Sequence, residues 1–280
     1  MVIEALERPR GPYSLRLSAR LASDATRRFR SGALTAVLPG GELASAQQAQ
    51  DGTLVLRAES EAALERLRFI LGHRDDHSEF LERFADDPLV GRATRVLKGY
   101  RPLRLTTVAH ALLRALAGQL VTWATAHEIE RHVIRRTSRR HPVGLYEPPT
   151  SESLGRLSAA ELRRLGLHAR RAAALVRLCR TFDLERLHEA PTEAVVARLE
   201  RERSLGPWSA GVVCVQGLGR PEHGLVGDLG LIKLLARDGR RVDAAETAAL
   251  LEPYGEWAGL ASLYLLAGLS RGLIPMPQAA

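Results

Sequence analysis

Strand signals in this chain stop near residue 72. Before that point, short stretches with strand-like patterning sit between turn signals; beyond it, apolar residues recur at helical spacing. Tyr13–Arg20 alternates Leu15 and Leu17 with polar neighbours and reads as a strand. Ala33–Leu38, the turn Pro39-Gly40-Gly41 and Glu42–Gln48 read as strand, turn, strand, and Asp51-Gly52 marks a second turn before Thr53–Arg57. Glu61–Leu71 sets Ala63, Leu64, Leu67 and Ile70 on one face, as a helix covering a sheet would. Helices are then expected over His77–Phe84, Leu89–Tyr100, Ala169–Thr181, Pro191 to about Glu202, Asp228–Arg237, Ala244–Leu251 and Trp257–Leu269. Thr106–Ile134 reads as one long tract, with Val108, Leu112, Ala115, Leu116, Gln119 and Trp123 near one face. Ser158-x-x-Glu161 is a capping-box pattern, Gly166 ends that helix, and Pro142–Thr150 is a loop. Strands followed by helices argue an α+β chain: a small β-sheet domain with a covering helix over residues 1–75, then an all-α region over 76–280.

The 280 residues are 45% hydrophobic, enough to bury a core and too many for wholesale disorder. The most apolar run, Leu260–Leu269, is far short of the ~20 residues a bilayer requires, so no membrane association is expected. Met1–Arg10 has charges and no apolar stretch, so it does not read as a signal peptide. Cys179 and Cys214 are too few for a disulfide framework or a thiolate metal site, and both fall in apolar helical stretches. These features fit a cytoplasmic protein, expected to be a monomer. The net charge of +8 favours a polyanionic partner.

The informative stretch is Leu199–Lys233. A helix ends, a tight turn Arg203-Ser204-Leu205-Gly206 follows, and a new helix opens at Pro207-Trp208-Ser209-Ala210. Proline suits the first turn of that helix. A helix-hairpin-helix of this kind presents free backbone N–H groups and a positive dipole end, which suits a DNA phosphate. Such contacts position a protein without reading sequence. About twenty residues on stands Gly227-Asp228-Leu229-Gly230-Leu231-Ile232-Lys233.

In that order the hairpin, helix, Gly/Pro-rich loop and single Asp resemble the helix-hairpin-helix DNA glycosylases, and most of all the DNA-3-methyladenine glycosylase II (AlkA-type) branch. The resemblance spans about Leu112–Gly272. It includes Gly118-Gln119-Leu120-Val121, the helix start from Gly166-Leu167 to Leu175, and a final helix at Glu256–Gly272. The N-terminal strands resemble the branch's small β-rich, TBP-like domain. The resemblance implies a monofunctional glycosylase of base excision repair. It would hydrolyse the N-glycosidic bond of damaged, alkylated purines flipped out of double-stranded DNA. Asp228 matches the Asp that stabilises the oxocarbenium-like sugar; the alternative is a helix N-cap, a common role for Asp after glycine, and the surrounding motifs favour the catalytic reading. Trp208 stands where lyase members carry a Schiff-base lysine, and the only lysines are Lys98 and Lys233. Trp208 matches an aromatic wall of the base pocket. Val212 and Leu266 fall where the branch carries further pocket aromatics, and Tyr264 lies beside the second. Fewer aromatic faces would favour neutral lesions. Gln119 and Leu120 match the wedge that fills the hole left by the flipped base. Arg203, Ser204, Leu205, Gly206, Pro207 and Ser209 match the phosphate-binding hairpin, although Ser204 replaces its first glycine. Family hairpins also bind a monovalent cation through carbonyls; no other cofactor and no metal centre is implied. Three further readings stay open: a glycosylase for oxidised or deaminated purines, a structure-specific DNA-binding protein without turnover, and an Arg-rich RNA-binding protein.

Other chemistry-bearing patterns carry less. His73-x-x-x-His77 encloses Asp75 and Asp76 but offers no third ligand outside its loop. His127 and His132 imitate a zinc motif with one residue too many, which sets them about 140° apart on a helix. The arginine runs 131–140 and 163–171 are solvated faces or phosphate tracks.

Overall fold

The structure is a computed structural model that describes residues 2–236 and 240–274. Five antiparallel strands form one sheet: β1 (Ile3–Glu7), β2 (Arg27–Arg30), β3 (Ala33–Val37), β4 (Leu43–Gln48) and β5 (Leu54–Ala58), in the order β1-β5-β4-β3-β2. The register aligns Leu34, Ala46, Leu56 and Ala5 across four strands. That row, with Ala44, Leu54 and Ala58, makes the apolar face, while Ser45 and Arg57 alternate outward. Helix α1 (Leu15–Ala19) and helix α2 (Glu61–Leu71) cover it. Ser60 caps α2 by accepting from Ala63 N at 3.1 Å, and Gly72 closes it at φ 58°, a left-handed turn that glycine adopts freely.

Tyr13–Arg20 is not a strand. Ser14 caps a helix by accepting from Leu17 N, and Leu15, Ser18 and Ala19 are buried on one side of it. Five residues are too few for the alternation of Leu15 and Leu17 to separate the two periods. The sheet instead recruits β1 and the arginine-rich β2, whose patterns carry little apolar signal.

The helical part contains α3 (Ser78–Arg83), α4 (Gly91–Val96), α5 (Val108–Gly118), α6 (Trp123–Thr137), α7 (Ser151–Gly155), α8 (Ala159–Arg164), α9 (Ala169–Thr181), α10 (Thr192–Glu200), α11 (Pro207–Val212), α12 (Leu229–Leu235), α13 (Ala244–Leu251) and α14 (Ala258–Leu269). The expected helix over 228–237 ends at Leu235, and Arg237 lies outside the described residues. The tract 106–134 breaks into α5 and α6. Leu120 takes φ 55° between them, and Trp123 is exposed rather than on the buried face. No described helix is long and apolar enough to cross a membrane.

Two joints tie sheet to helices. Arg101, fully buried, donates to the carbonyls of Gly72, Arg10 and Pro12. The second joint is ionic. Arg114 on α5 donates to Asp24 Oδ2 at 2.8 Å and to Glu130 Oε1 of α6 at 2.8 Å, and His110 donates to Glu130 at 2.5 Å. Arg27 pairs with Asp24 at 3.3 Å. Burial alone would push both carboxyls up. The guanidiniums outweigh it, helped by His110, holding Asp24 well below the usual carboxylate range and Glu130 down to about 2.

Candidate active site

Helices α10 and α11 flank the turn that the sequence marks as a hairpin. Leu205 is buried and its N–H donates to Glu202 O at 2.8 Å, which tightens the turn. Gly206 is the N-cap of α11 in extended backbone, and Pro207 is the first helical residue. The backbone N–H groups of Ser204, Gly206, Trp208 and Ser209 have no acceptor among the described residues. Four donors thus sit at a helix start, with Arg203 exposed beside them. Ser204 does not have a positive φ, so its substitution for glycine costs the turn nothing there. Ser209, expected on the phosphate face, is buried, and its hydroxyl accepts from Gln119 Nε2 at 2.8 Å.

The next elements bring Asp228 to the start of α11. Gly227 at φ 82° turns the chain, held by its N–H on Thr247 Oγ1 at 2.7 Å. Asp228 then caps α12: Oδ1 accepts from Gly230 N at 2.7 Å. Its other oxygen, Oδ2, accepts from Trp208 Nε1 at 2.8 Å. The carboxylate is half-buried and has no cationic side chain within 4 Å among the described residues. The two readings of Asp228 made from sequence are therefore compatible, since capping occupies one oxygen only. Trp208 is fixed at both ends. A Cβ on Gly118 would lie 2.9 Å from its Cη2, so only glycine lets the indole pass over the end of α5. A Cβ on Gly230 would lie 2.4 Å from Leu266 Cδ2 and 3.0 Å from Asp228 Oδ1, so a side chain there would have to displace Leu266. Sequence reasoning gave neither glycine a role; their signal was their place beside Gln119 and Asp228.

Val212, Trp208 and Leu266 belong to one extended apolar cluster, and Leu266 also packs against the cluster that holds Tyr264. Tyr264 does not join them. It is 0% exposed, ringed by Phe80 and Tyr100, and its hydroxyl donates to Tyr100 O at 2.9 Å. Two residues on a helix are about 200° apart, so with Leu266 toward Gly230, Tyr264 faces the opposite core.

No family model matches the chain. By sequence it is 23% identical over 202 residues to a DNA-3-methyladenine glycosylase of Bacillus subtilis (strain 168), spanning 68% of this chain and 67% of that protein. By structure it is similar to the 3-methyladenine DNA-glycosylase from Archaeoglobus fulgidus: TM-score 0.81, 20% identity, 95% of this chain and 98% of that one. It is also similar to the Clostridium acetobutylicum 8-oxoguanine glycosylase/lyase solved with double-stranded DNA, with TM-score 0.79, 15% identity, and coverage of 98% and 99%. The fold is that of the helix-hairpin-helix DNA glycosylases.

Within this glycosylase fold the two expected wedge residues part company. Leu120 is 82% exposed at its left-handed φ. Gln119 turns away and straps the loop to the hairpin, its Nε2 donating to Ser204 O at 2.7 Å and to Ser209 Oγ. Arg171 of α9 completes the strap by donating to Gln119 O at 2.7 Å. Asp24, His110 and Glu130 have metal-like spacing, their ligand atoms within 4.8 Å of one another, but Arg114 and Arg27 already balance both carboxylates. A cleft of about 210 Å³ near Arg101, Arg104 and Trp257 shares no lining residue with the Trp208–Asp228 pair.

Proposed function

We propose that this chain is a monofunctional DNA glycosylase of base excision repair that hydrolyses the N-glycosidic bond of damaged, alkylated purines in duplex DNA. The observation that carries the reading is the Asp228 carboxylate, aimed by Trp208 and Gly230, uncompensated by any nearby cation among the described residues, one helix from four hairpin N–H groups that have no acceptor among those residues. The hairpin and Arg203 would take phosphates of the damaged strand, and Leu120 would fill the gap as the base leaves the stack. Trp208 would offer its face to an electron-poor methylated base. As the glycosidic bond lengthens, its electron pair leaves with the base and positive charge grows on the sugar. Asp228 stabilises that charge, and its two fixed hydrogen bonds spare it reorganisation. Water then adds to C1′ and loses a proton, leaving an abasic site. No amine stands where a Schiff base would form: Lys98 and Lys233 are exposed on other elements. The sheet with α2 is read as the TBP-like domain of the branch.

The test is single-turnover base release from methylated duplex DNA, wild type beside Asp228→Asn, with alkali cleavage revealing abasic sites. Release by wild type alone supports the reading; equal release by both removes Asp228 from the mechanism. A second reading, neutral deaminated, etheno or oxidised purines, is favoured by Val212 and Leu266, which leave Trp208 as the sole aromatic of the expected pocket. A lesion panel separates the two.

A further inference from the structure

Few large apolar side chains of this molecule lie open to water, and three of them, Leu120, Trp123 and Leu229, belong to elements around the Trp208–Asp228 pair. Leu120 and Leu229 adjoin the wedge turn and the catalytic candidate. Trp123 has no role in either. It is 66% exposed at the first position of α6, three residues past Leu120. Its indole is not loose. The His127 ring stacks on it at 4.0 Å between centroids and 31° between planes, and His127 Nδ1 donates to Trp123 O at 3.2 Å. Thr122 caps the helix just before it by accepting from Thr125 N. Burial holds the His127 imidazole below its usual pKa. The same ridge continues every fourth residue to Arg131 and Arg135, both exposed and with no carboxylate within 4 Å among the described residues. An aromatic face fixed in place and followed by unpaired arginines matches a nucleic-acid strand, with a base on the ring and phosphates along the ridge.

We infer that Trp123, backed by His127, is a stacking platform for the base left without a partner on the strand opposite the extruded nucleotide, with Arg131 and Arg135 holding that strand's phosphates. The inference rests on the glycosylase reading above, because only an extruded nucleotide leaves such an orphan base. It makes Trp123 a specificity-determining residue: a purine opposite the lesion offers more stacking area than a pyrimidine or a gap.

The experiment measures binding, so it needs no turnover. Fluorescence anisotropy would compare an undamaged duplex with duplexes carrying a tetrahydrofuran abasic analogue opposite adenine, opposite cytosine, or opposite a second tetrahydrofuran. Wild type, Trp123→Ala and Trp123→Phe are used, with thermal melts to confirm equal folding of these surface variants. Wild type should bind the adenine duplex roughly tenfold more tightly than the double-tetrahydrofuran duplex, as one base–aromatic stack predicts. Trp123→Ala should bind both alike, and Trp123→Phe should regain part of the difference. Wild-type binding with no dependence on the opposite position, or a preference that survives Trp123→Ala, overturns the platform and leaves the glycosylase reading intact. A wild type that does not favour tetrahydrofuran duplexes over undamaged duplex overturns both.

Discussion

Asp24 and Glu130 at the joint, and Asp228 at the hairpin, are carboxylates placed in opposite circumstances. The first two are enclosed and share two guanidiniums and His110, so every charge has a counter-charge. Asp228 is half-open and, among the described residues, receives only two neutral N–H donors. The joint is therefore electrostatically closed: its groups hold α5, α6 and the loop before β2 together and have nothing left to offer a ligand. Asp228 is oriented but not neutralised, which is the condition for stabilising charge that appears only during a reaction. Carboxylates of the same type are closed off or left available according to whether a cation is already beside them.

Removing a cation from the closed set should have the largest effect. Arg114→Met leaves Asp24 and Glu130 buried without their shared partner and should cost about 3–5 kcal/mol in urea unfolding. A loss under 1 kcal/mol would mean that the joint is not closed in the way described. Next comes Asp228→Asn, which removes the charge and leaves one acceptor oxygen, enough for Gly230 N or Trp208 Nε1 but not both. It should lower single-turnover base release by about 10²–10³-fold while costing about 1–2 kcal/mol of stability. A stability loss as large as that of Arg114→Met would erase the contrast with Asp24.

The pH dependence sharpens the comparison further. Glu130 sits below its ordinary value of 4.5, at about 2 when folded. Its contribution is thus complete above about pH 4.5 and is lost as pH falls through about 2. Wild type should lose on the order of 2–3 kcal/mol across that window, and Glu130→Gln, already destabilised, should show a shallower acid slope. The smallest effect is expected from Gln119→Ala. Losing the strap between Leu120 and the hairpin should weaken binding to tetrahydrofuran duplex by about threefold to tenfold while costing about 1 kcal/mol of stability. A variant that binds as wild type does would show that the wedge turn holds its shape alone.

Local signals carried much of the fold. Ser158 and Glu161 do form a reciprocal capping box, Gly166 ends α8 at φ 102°, and Pro207 is the first residue of α11. Each of these depends on residues within a turn of one another, so sequence contains the whole cause. Tyr13–Arg20 misled because a five-residue helix gives too little period to read. The break at Gln119–Thr122 was hidden by apolar residues that continue through it. Its causes are distant: Ser204, Ser209 and Arg171 draw Gln119 out of the helical path.

At the site the division is the same. The order of hairpin, loop and Asp228 stood in the sequence, as did the resemblance that gave them meaning. Which oxygen of Asp228 caps the helix and which meets Trp208 did not. Nor did the burial of Ser209, the removal of Tyr264 to another core, or the stacking of Trp123 on His127 in open solvent. The sequence by itself determined most of the helices, their caps and the hairpin turn, because these follow from side chains a few residues apart. Only the tertiary structure decided which charges are already answered and which face open solvent, because that depends on groups 16 to 90 residues apart brought within hydrogen-bond distance.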